Sequence, residues 1–310
     1  MIPLILNEKY QLLTKIGEGK FGQVFRGKVA RGKRIGEPVA IKFDLAAAFG
    51  GGPSTISHEA KMLYYLNQKS TNYVFPYGPQ LYWYGVIESD DDEDDDDTDY
   101  KTNFATKCYS LVMSFYDTSL PDYLNSIPAL RRRDFLFGTF LPQARAGLSH
   151  IHDLFVIHRD IKPKNFMIYG GNVRFIDFGM ATFYVDGDGE HLQAPEAPNR
   201  VEIMGSPNYC SVFIHQGWPA SRRDDYISLF YVMLYLLMPN RRLPWEGIGS
   251  SRADSRVSHP SNQERMRSKK RILEDPSWLI GTCGLEFYRD LLSYYGLSYE
   301  EDPLVLEVST

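Results

Sequence analysis

Val156-Ile157-His158-Arg159-Asp160-Ile161-Lys162-Pro163-Lys164-Asn165, with Asp177-Phe178-Gly179 following twelve positions after Asn165, decides how the rest of the chain is read. Phosphoryl transfer needs a carboxylate to accept a hydroxyl proton, a cation near the transferred group and hard oxygen ligands for a divalent ion. Asp160 supplies the carboxylate and Lys162, two residues on, the cation. Asn165 and Asp177 offer oxygens that suit an octahedral Mg2+ keeping several of its waters. An Arg-Asp pair is common by chance, and a lone histidine such as His158 is more often a packed core residue than a catalytic one. Lys162 and Asn165 at fixed offsets, and a strand from Val173 to Ile176 running into Asp-Phe-Gly, are independent requirements that leave little room for chance.

Upstream, Gly17-Glu18-Gly19-Lys20-Phe21-Gly22 lies between two β-type runs, Leu12 to Ile16 and Gln23 to Val29, and a third run follows at Pro38 to Phe43. A dinucleotide-binding unit needs a helix directly after its glycines, and the sequence after Gly22 is not helical; no Gly-Lys-Ser/Thr follows for a Walker loop either. The pattern predicts a hairpin in which Gly17, Gly19 and Gly22 let backbone approach a nucleotide phosphate closely. Val39-Ala40-Ile41-Lys42 on the third strand is similar to the strand on which protein kinases place the lysine that holds the α- and β-phosphates. Gly50-Gly51-Gly52-Pro53 breaks the chain, and Ser54-Thr55 can cap a helix running to about Asn67. That helix places Glu59, Met62, Leu63 and Leu66 on one face. An unpaired carboxylate on an apolar face is costly, and Lys42 is the expected partner of Glu59.

Two more strands, Gln80 to Ile87 and Cys108 to Phe115, flank a run from Glu88 to Asp99 that holds ten acidic residues. Without that run the net charge turns from −5 to +5, so the acidity is local; a block this dense repels itself and predicts a long flexible hairpin tip. Beyond Phe115 the pattern turns helical, at Leu120 to Asn125, Arg132 to Leu154, and from Asp224 onward, interrupted by the catalytic stretch, a short β-ribbon and an extended segment to Ser211. The expected class is α+β, β-rich over 1–115 and α-helical over 116–310. A length of 310 residues with 43% hydrophobic residues is enough for two cores. Cys108, Cys210 and Cys283 are odd in number and without C-x-x-C spacing, so neither a disulfide framework nor a zinc site is suggested, and a reducing compartment fits. Met1 to Leu6 lacks the charged start of a signal peptide, and the apolar run Tyr226 to Met238 is too short to cross a bilayer. A cytoplasmic or nuclear protein without a membrane partner is expected. Arg265, Arg267, Lys269, Lys270 and Arg271 read as a solvated helix face, with an acidic-substrate patch or nuclear import patch as alternatives.

Together these motifs resemble the eukaryotic protein kinase superfamily over nearly the whole chain, which implies a bilobal fold of a β-rich N-lobe with one helix and an α-helical C-lobe. Within it, His158 to Phe166, Ser221-Arg222-Arg223-Asp224-Asp225 and Leu243-Pro244-Trp245-Glu246-Gly247 are similar to the casein kinase I group. Tyr209-Cys210-Ser211-Val212-Phe213 stands where most kinases carry Ala-Pro-Glu. The resemblance implies ATP and Mg2+ as cofactors, Asp160 and Lys162 as catalytic residues, and Asn165 and Asp177 as metal ligands. It implies an adenine pocket of Ile16, Val24, Ala40, Met167 and Ile176, with Met113 as gatekeeper and Ser114 to Tyr116 as hinge. It also implies that Asp225 braces the catalytic backbone, and that Lys162 marks Ser/Thr specificity. The expected activity is a serine/threonine protein kinase, monomeric, acting on protein substrates, acidic ones among them, with no nucleic-acid partner. A catalytically silent scaffold of the same fold is the alternative; a small-molecule kinase of the aminoglycoside phosphotransferase type is disfavoured by Lys162. The chain departs from the group at Asn208, where the group carries an arginine that binds phosphorylated substrate, and in its acidic insertion, whose Thr98 is a candidate autophosphorylation site.

Overall fold

The computed structural model describes residues 5–19, 22–44, 54–88, 107–248 and 255–303. The acidic run beyond Glu88, with Thr98, lies outside the described residues, as do Lys20 and Phe21 of the glycine loop. The chain divides into two compact units, Met1–Asp117 and Thr118–Thr310.

Alternating β-formers in the first unit build one antiparallel sheet in the order β1-β2-β3-β4-β6-β5. Its strands are β1 (Ile5–Leu6), β2 (Tyr10–Gly19), β3 (Gly22–Val29), β4 (Pro38–Asp44), β5 (Leu81–Glu88) and β6 (Lys107–Ser114). The inward-facing Phe25, Val39, Ile41, Phe43, Cys108 and Val112 form a buried cluster with Tyr10 and Val29. Helix α1 (Thr55–Lys69) starts where expected, because the Ser54 Oγ accepts the Ser57 N–H and closes one of the orphan donors of the first turn. Its stripe of Glu59, Met62, Leu63 and Leu66 is buried.

The second unit opens with β7 (Thr118–Ser119) and α2 (Leu120–Ser126), capped by Ser119. The single helix expected over Arg132 to Leu154 is α3 (Ala129–Phe135) and α4 (Leu141–Asp153) joined by a π-turn at Leu136–Phe140. The cause is Pro142, which has no N–H for the carbonyl four residues back and crowds it, so the ladder widens just ahead of it. After β8 (Val156–Ile157) come the ribbon β9 (Phe166–Tyr169) and β10 (Asn172–Phe175), with β7 on its edge, and β11 (Thr182–Phe183) paired with β8. A short α5 (Val212–His215) precedes α6 (Arg222–Leu237), which is buried on every side and forms the axis of the unit. Around it stand α7 (Pro260–Glu274), α8 (Ser277–Cys283) and α9 (Leu285–Gly296). All three cysteines are buried free thiols, and burial pushes Cys108 up to about 11 and Cys283 up to about 12, so they are inert at neutral pH.

Candidate active site

The residues singled out from the sequence fall in both units, and each group is set by its own unit's elements. In the first unit, β4 pairs with β3 and β6 so that Lys42 stands opposite Val24 on one side and Leu111 on the other, while Ala40 stands opposite Met113. Lys42 Nζ donates to both oxygens of Glu59 at 2.8 Å, and the Glu59 side chain is only 4% exposed. Sheet register and helix face thus bring together the two charges that the sequence paired, and each neutralises the burial cost of the other.

Gly17 lies opposite Val24 and Gly19 opposite Gly22, which closes the hairpin as expected. Gly22 has φ +142°, and a Cβ there would collide with the Phe43 carbonyl, so this position admits only glycine. Ala40 and Met113 are buried, Val24 is half-buried and Ile16 is 50% exposed. Ser114 Oγ accepts the Gln80 N–H at 3.1 Å, and the Ser114 N–H itself donates to the Gln80 carbonyl at 3.0 Å, so that donor is not available to a base. Tyr116 is anchored by its hydroxyl, which donates to the Gly78 carbonyl at 2.8 Å.

In the second unit the foundation is Asp225, in the first turn of α6. Its Oδ2 accepts the His158 N–H at 2.8 Å and meets His152 Nε2 at 3.0 Å, and its Oδ1 accepts the Arg159 N–H at 2.9 Å. Burial alone would raise the Asp225 carboxyl, but the His152 bond and the two histidine neighbours override it and hold the pKa below the usual aspartate value. These bonds also hold Arg159 at φ +65°, a left-handed conformation that a bulky residue rarely adopts. His158 is fully buried; its Nε2 bonds the Ile176 carbonyl at 3.2 Å while Nδ1 accepts the Asp160 N–H at 3.3 Å, which assigns the hydrogen to Nε2.

Asp160 then emerges with every contact fixed. Lys162 Nζ donates to its Oδ2 at 2.5 Å, Asn165 Nδ2 to the same oxygen at 3.2 Å and to the Asp160 carbonyl at 2.9 Å, and Ser206 Oγ to its Oδ1 at 2.8 Å. Asn165 is tied to the Asp-Phe-Gly stretch, since its carbonyl accepts the Ile176 N–H at 3.0 Å. Asp177 sits at φ +68°, and Phe178 beside it is buried against the His158 ring at 4.8 Å. Met167 on β9 and Ile176 are half-buried.

The family model of the protein kinase domain matches residues 10–279. The chain belongs to the protein kinase family. Both units of the kinase domain take part in the match, the strand-rich N-terminal region and the helical C-terminal region alike, which gives the expected mixed α+β fold. Kinase domains generally use ATP and Mg2+. The residues present fit Mg2+: Asn165 commits its Nδ2 to Asp160, which leaves its amide oxygen open to a cation, and Asp177 directly follows Ile176, whose N–H bonds the Asn165 carbonyl. Among the described residues no group of three or more His, Cys, Asp or Glu could hold a metal ion. Among the described residues no helix is long and apolar enough to cross a membrane.

Two features of this kinase domain were hidden in the sequence. The first is Ser206, whose hydroxyl is spent on Asp160 and whose neighbour Gly205 has a φ of +81° and a contact with the Arg159 carbonyl that exclude any side chain. The second is a correction. Arg265 and Lys269 do not lie on a solvated face or an exposed basic patch; they are 6% and 1% exposed. They share a buried stripe with Asn262 at spacings of three and four on α7, a polar face turned inward because its donors meet main-chain carbonyls.

Proposed function

We propose that this kinase domain is an active, ATP-dependent Ser/Thr protein kinase of casein kinase I type, acting on protein hydroxyls in acidic surroundings. The observation that carries the reading is the fixed Asp160 carboxylate, held by Lys162, Asn165 and Ser206. On this reading Asp160 orients the substrate hydroxyl and takes its proton as the phosphoryl group leaves ATP. Lys162 stays beside that carboxylate in the ground state and offers its charge to the transferring group. Lys42, aimed by Glu59, holds the α- and β-phosphates, and the glycine hairpin brings main-chain N–H groups to them. Ile16, Val24, Ala40, Met113, Met167 and Ile176 provide apolar surface for the adenine, and the main chain at Ser114 to Tyr116 its polar edge. Bound Mg2+, held by Asn165 and Asp177, neutralises charge on the phosphate oxygens. A silent scaffold of this fold normally lacks the strand lysine, the catalytic aspartate or the metal aspartate, and Lys42, Asp160 and Asp177 are all present.

The test is transfer of labelled phosphate from ATP to an acidic, unphosphorylated protein by wild type and by Asp160→Asn. Wild type is expected to label serine and threonine, with the variant slower by about 100-fold or more. Equal labelling by the two proteins, or none by wild type, rejects the assignment.

A further inference from the structure

We infer that Lys269 is a positioning residue for phosphoryl transfer, clamping from behind the Ser206–Cys210 turn whose first hydroxyl aligns Asp160. The inference rests on the reading of the domain as an active kinase.

The turn has two sides. On one, Ser206 Oγ donates to Asp160 Oδ1 at 2.8 Å, and Gly205 packs its bare Cα against the Arg159 carbonyl. On the other, the carbonyls of the turn point into the unit and are met by α7 and the segment after α6. Lys269 Nζ donates to the Pro207 carbonyl at 2.8 Å and the Cys210 carbonyl at 2.6 Å, and meets His215 Nε2 at 3.0 Å. Trp245 Nε1 donates to the carbonyl between them, Asn208, at 2.7 Å. The turn is closed on itself by the Tyr209 and Cys210 N–H groups, both donating to the Ser206 carbonyl. Three carbonyls of a five-residue turn are therefore held by one ammonium and one indole.

No carboxylate hydrogen-bonds this ammonium among the described residues. Its charge is met by carbonyl dipoles and by the faces of Tyr231 and Trp245, whose centroids lie 5.1 and 5.3 Å away. A buried ammonium without a counter-charge is expensive, and an apolar side chain would fill the volume at lower cost. What an apolar side chain cannot do is donate hydrogens to two carbonyls of the turn at once. The arrangement consequently makes sense as a clamp on the turn rather than as core filling, and the turn's exposed function is the bond to Asp160.

The groups facing Lys269 also give the clamp a pH dependence. From its own helix comes Arg265; from the turn and α5 come Cys210 and His215; from α6 come Tyr231, whose hydroxyl meets Tyr295 of α9 at 2.7 Å, and Asp224, which acts on Cys210. Burial, with Arg265 adding to it, pushes Lys269 down to about 8, and burial together with Lys269 keeps His215 neutral, well below its ordinary value. The neutral amine gives up the charge that strengthens its bonds to the two carbonyls, so the clamp on the turn weakens as pH rises through 8. Global stability moves the other way: a lysine whose folded value is depressed costs stability while charged, and that cost disappears between about pH 8 and its unfolded value of about 10.4. Catalysis weakening while the fold strengthens over the same interval is a pattern that plain core packing does not produce.

The experiment compares wild type, Lys269→Met and Lys269→Arg by peptide phosphorylation over pH 6.5–9.5, alongside amide hydrogen exchange of residues 205–215 corrected for intrinsic rates. Lys269→Met is expected to lose at least about tenfold in kcat with its KM for ATP within about twofold, and to exchange faster in the turn. Wild-type kcat is expected to fall above about pH 8, and Lys269→Arg, which stays charged, to lack that limb. An unchanged kcat and unchanged exchange in Lys269→Met overturn the inference, as does the same alkaline limb in Lys269→Arg. Should Lys269→Met not fold, the pH profiles of wild type and Lys269→Arg decide alone. A wild type that transfers no phosphate rejects the kinase reading instead, and the exchange profile across pH 8 then still judges whether Lys269 clamps the turn.

Discussion

At the scale of the residue, the pair Lys42–Glu59 shows what a sequence discloses best. Each partner announces itself locally: a lysine closing an alternating strand, and a carboxylate on an otherwise apolar helix stripe. The 2.8 Å bonds follow because strand register and helix face set two buried opposite charges side by side. Replacing Lys42 by Met leaves Glu59 buried without its cation, and the expected loss is about 3 kcal/mol in urea unfolding. Adding Glu59→Leu to that variant is expected to return most of the stability, since it removes the buried carboxylate that Lys42 neutralised, while ATP affinity stays lost in a direct binding titration. Recovery of both, or of neither, contradicts the role given to the pair. The bond from Ser206 to Asp160, in contrast, was illegible. Its partners are 46 positions apart, and nothing in either residue type demands the other; only the left-handed Gly205 brings them together.

At the scale of the element, the start of α1 was legible because Ser54 sets it, whereas α6 starts at Arg222, two residues ahead of the expected Asp224, because Ser221 and Asp224 close a capping box there. The π-turn before Pro142 was legible in principle, because a proline inside a helical pattern must displace a carbonyl. The inward face of α7 was not, since a polar stripe that meets backbone carbonyls has the same composition as one that meets water. The first turn of α6 matters most for function, because Asp225 holds the backbone on which Asp160 stands. Asp225→Asn keeps the shape but gives up the charge, and with it part of the bonding to His152, His158 and Arg159. A destabilisation of about 3 kcal/mol at pH 7 is expected, with kcat falling alongside. The sign with pH follows from the depressed carboxyl: its contribution is fully present above the unfolded value of about 3.9 and is lost as pH falls through the lower folded value. The gap between wild type and variant in chemical denaturation should therefore be constant from pH 7 to 5 and close below about pH 4. A gap that stays constant to pH 2.5 would show that Asp225 acts through shape alone.

At the scale of the whole molecule, a strand-rich N-terminal region followed by a helical one was legible in composition. The strand order was not: β5 takes the sheet edge and β6 the place beside β4, and the alternating pattern of the two strands is alike. Nor was the way the second unit is closed. Arg222 and Arg223 stand at the start of the central helix, and both are buried. Arg222 reaches Asp302 at 2.8 Å and the Glu300 carbonyl at 2.7 Å, with its guanidinium over the Tyr184 ring at 4.7 Å. Arg223 donates to the Leu297 carbonyl and lies over Phe213 at 3.7 Å. The segment after α9 is thus the counterpart of two charges at the N-terminus of α6, one turn from Asp225. Ending the chain at Gly296 strands both guanidinium groups and exposes the same turn that carries Asp225. Each stranded charge is worth roughly 3 kcal/mol, which predicts a fall in melting temperature on the order of 10 °C by calorimetry. Arg222→Met with Arg223→Met in the full chain removes the charges instead of their partners, and its melting temperature is expected to lie well above that of the truncated protein. If the truncated protein melts with wild type, the segment after Gly296 plays no part in closing the unit.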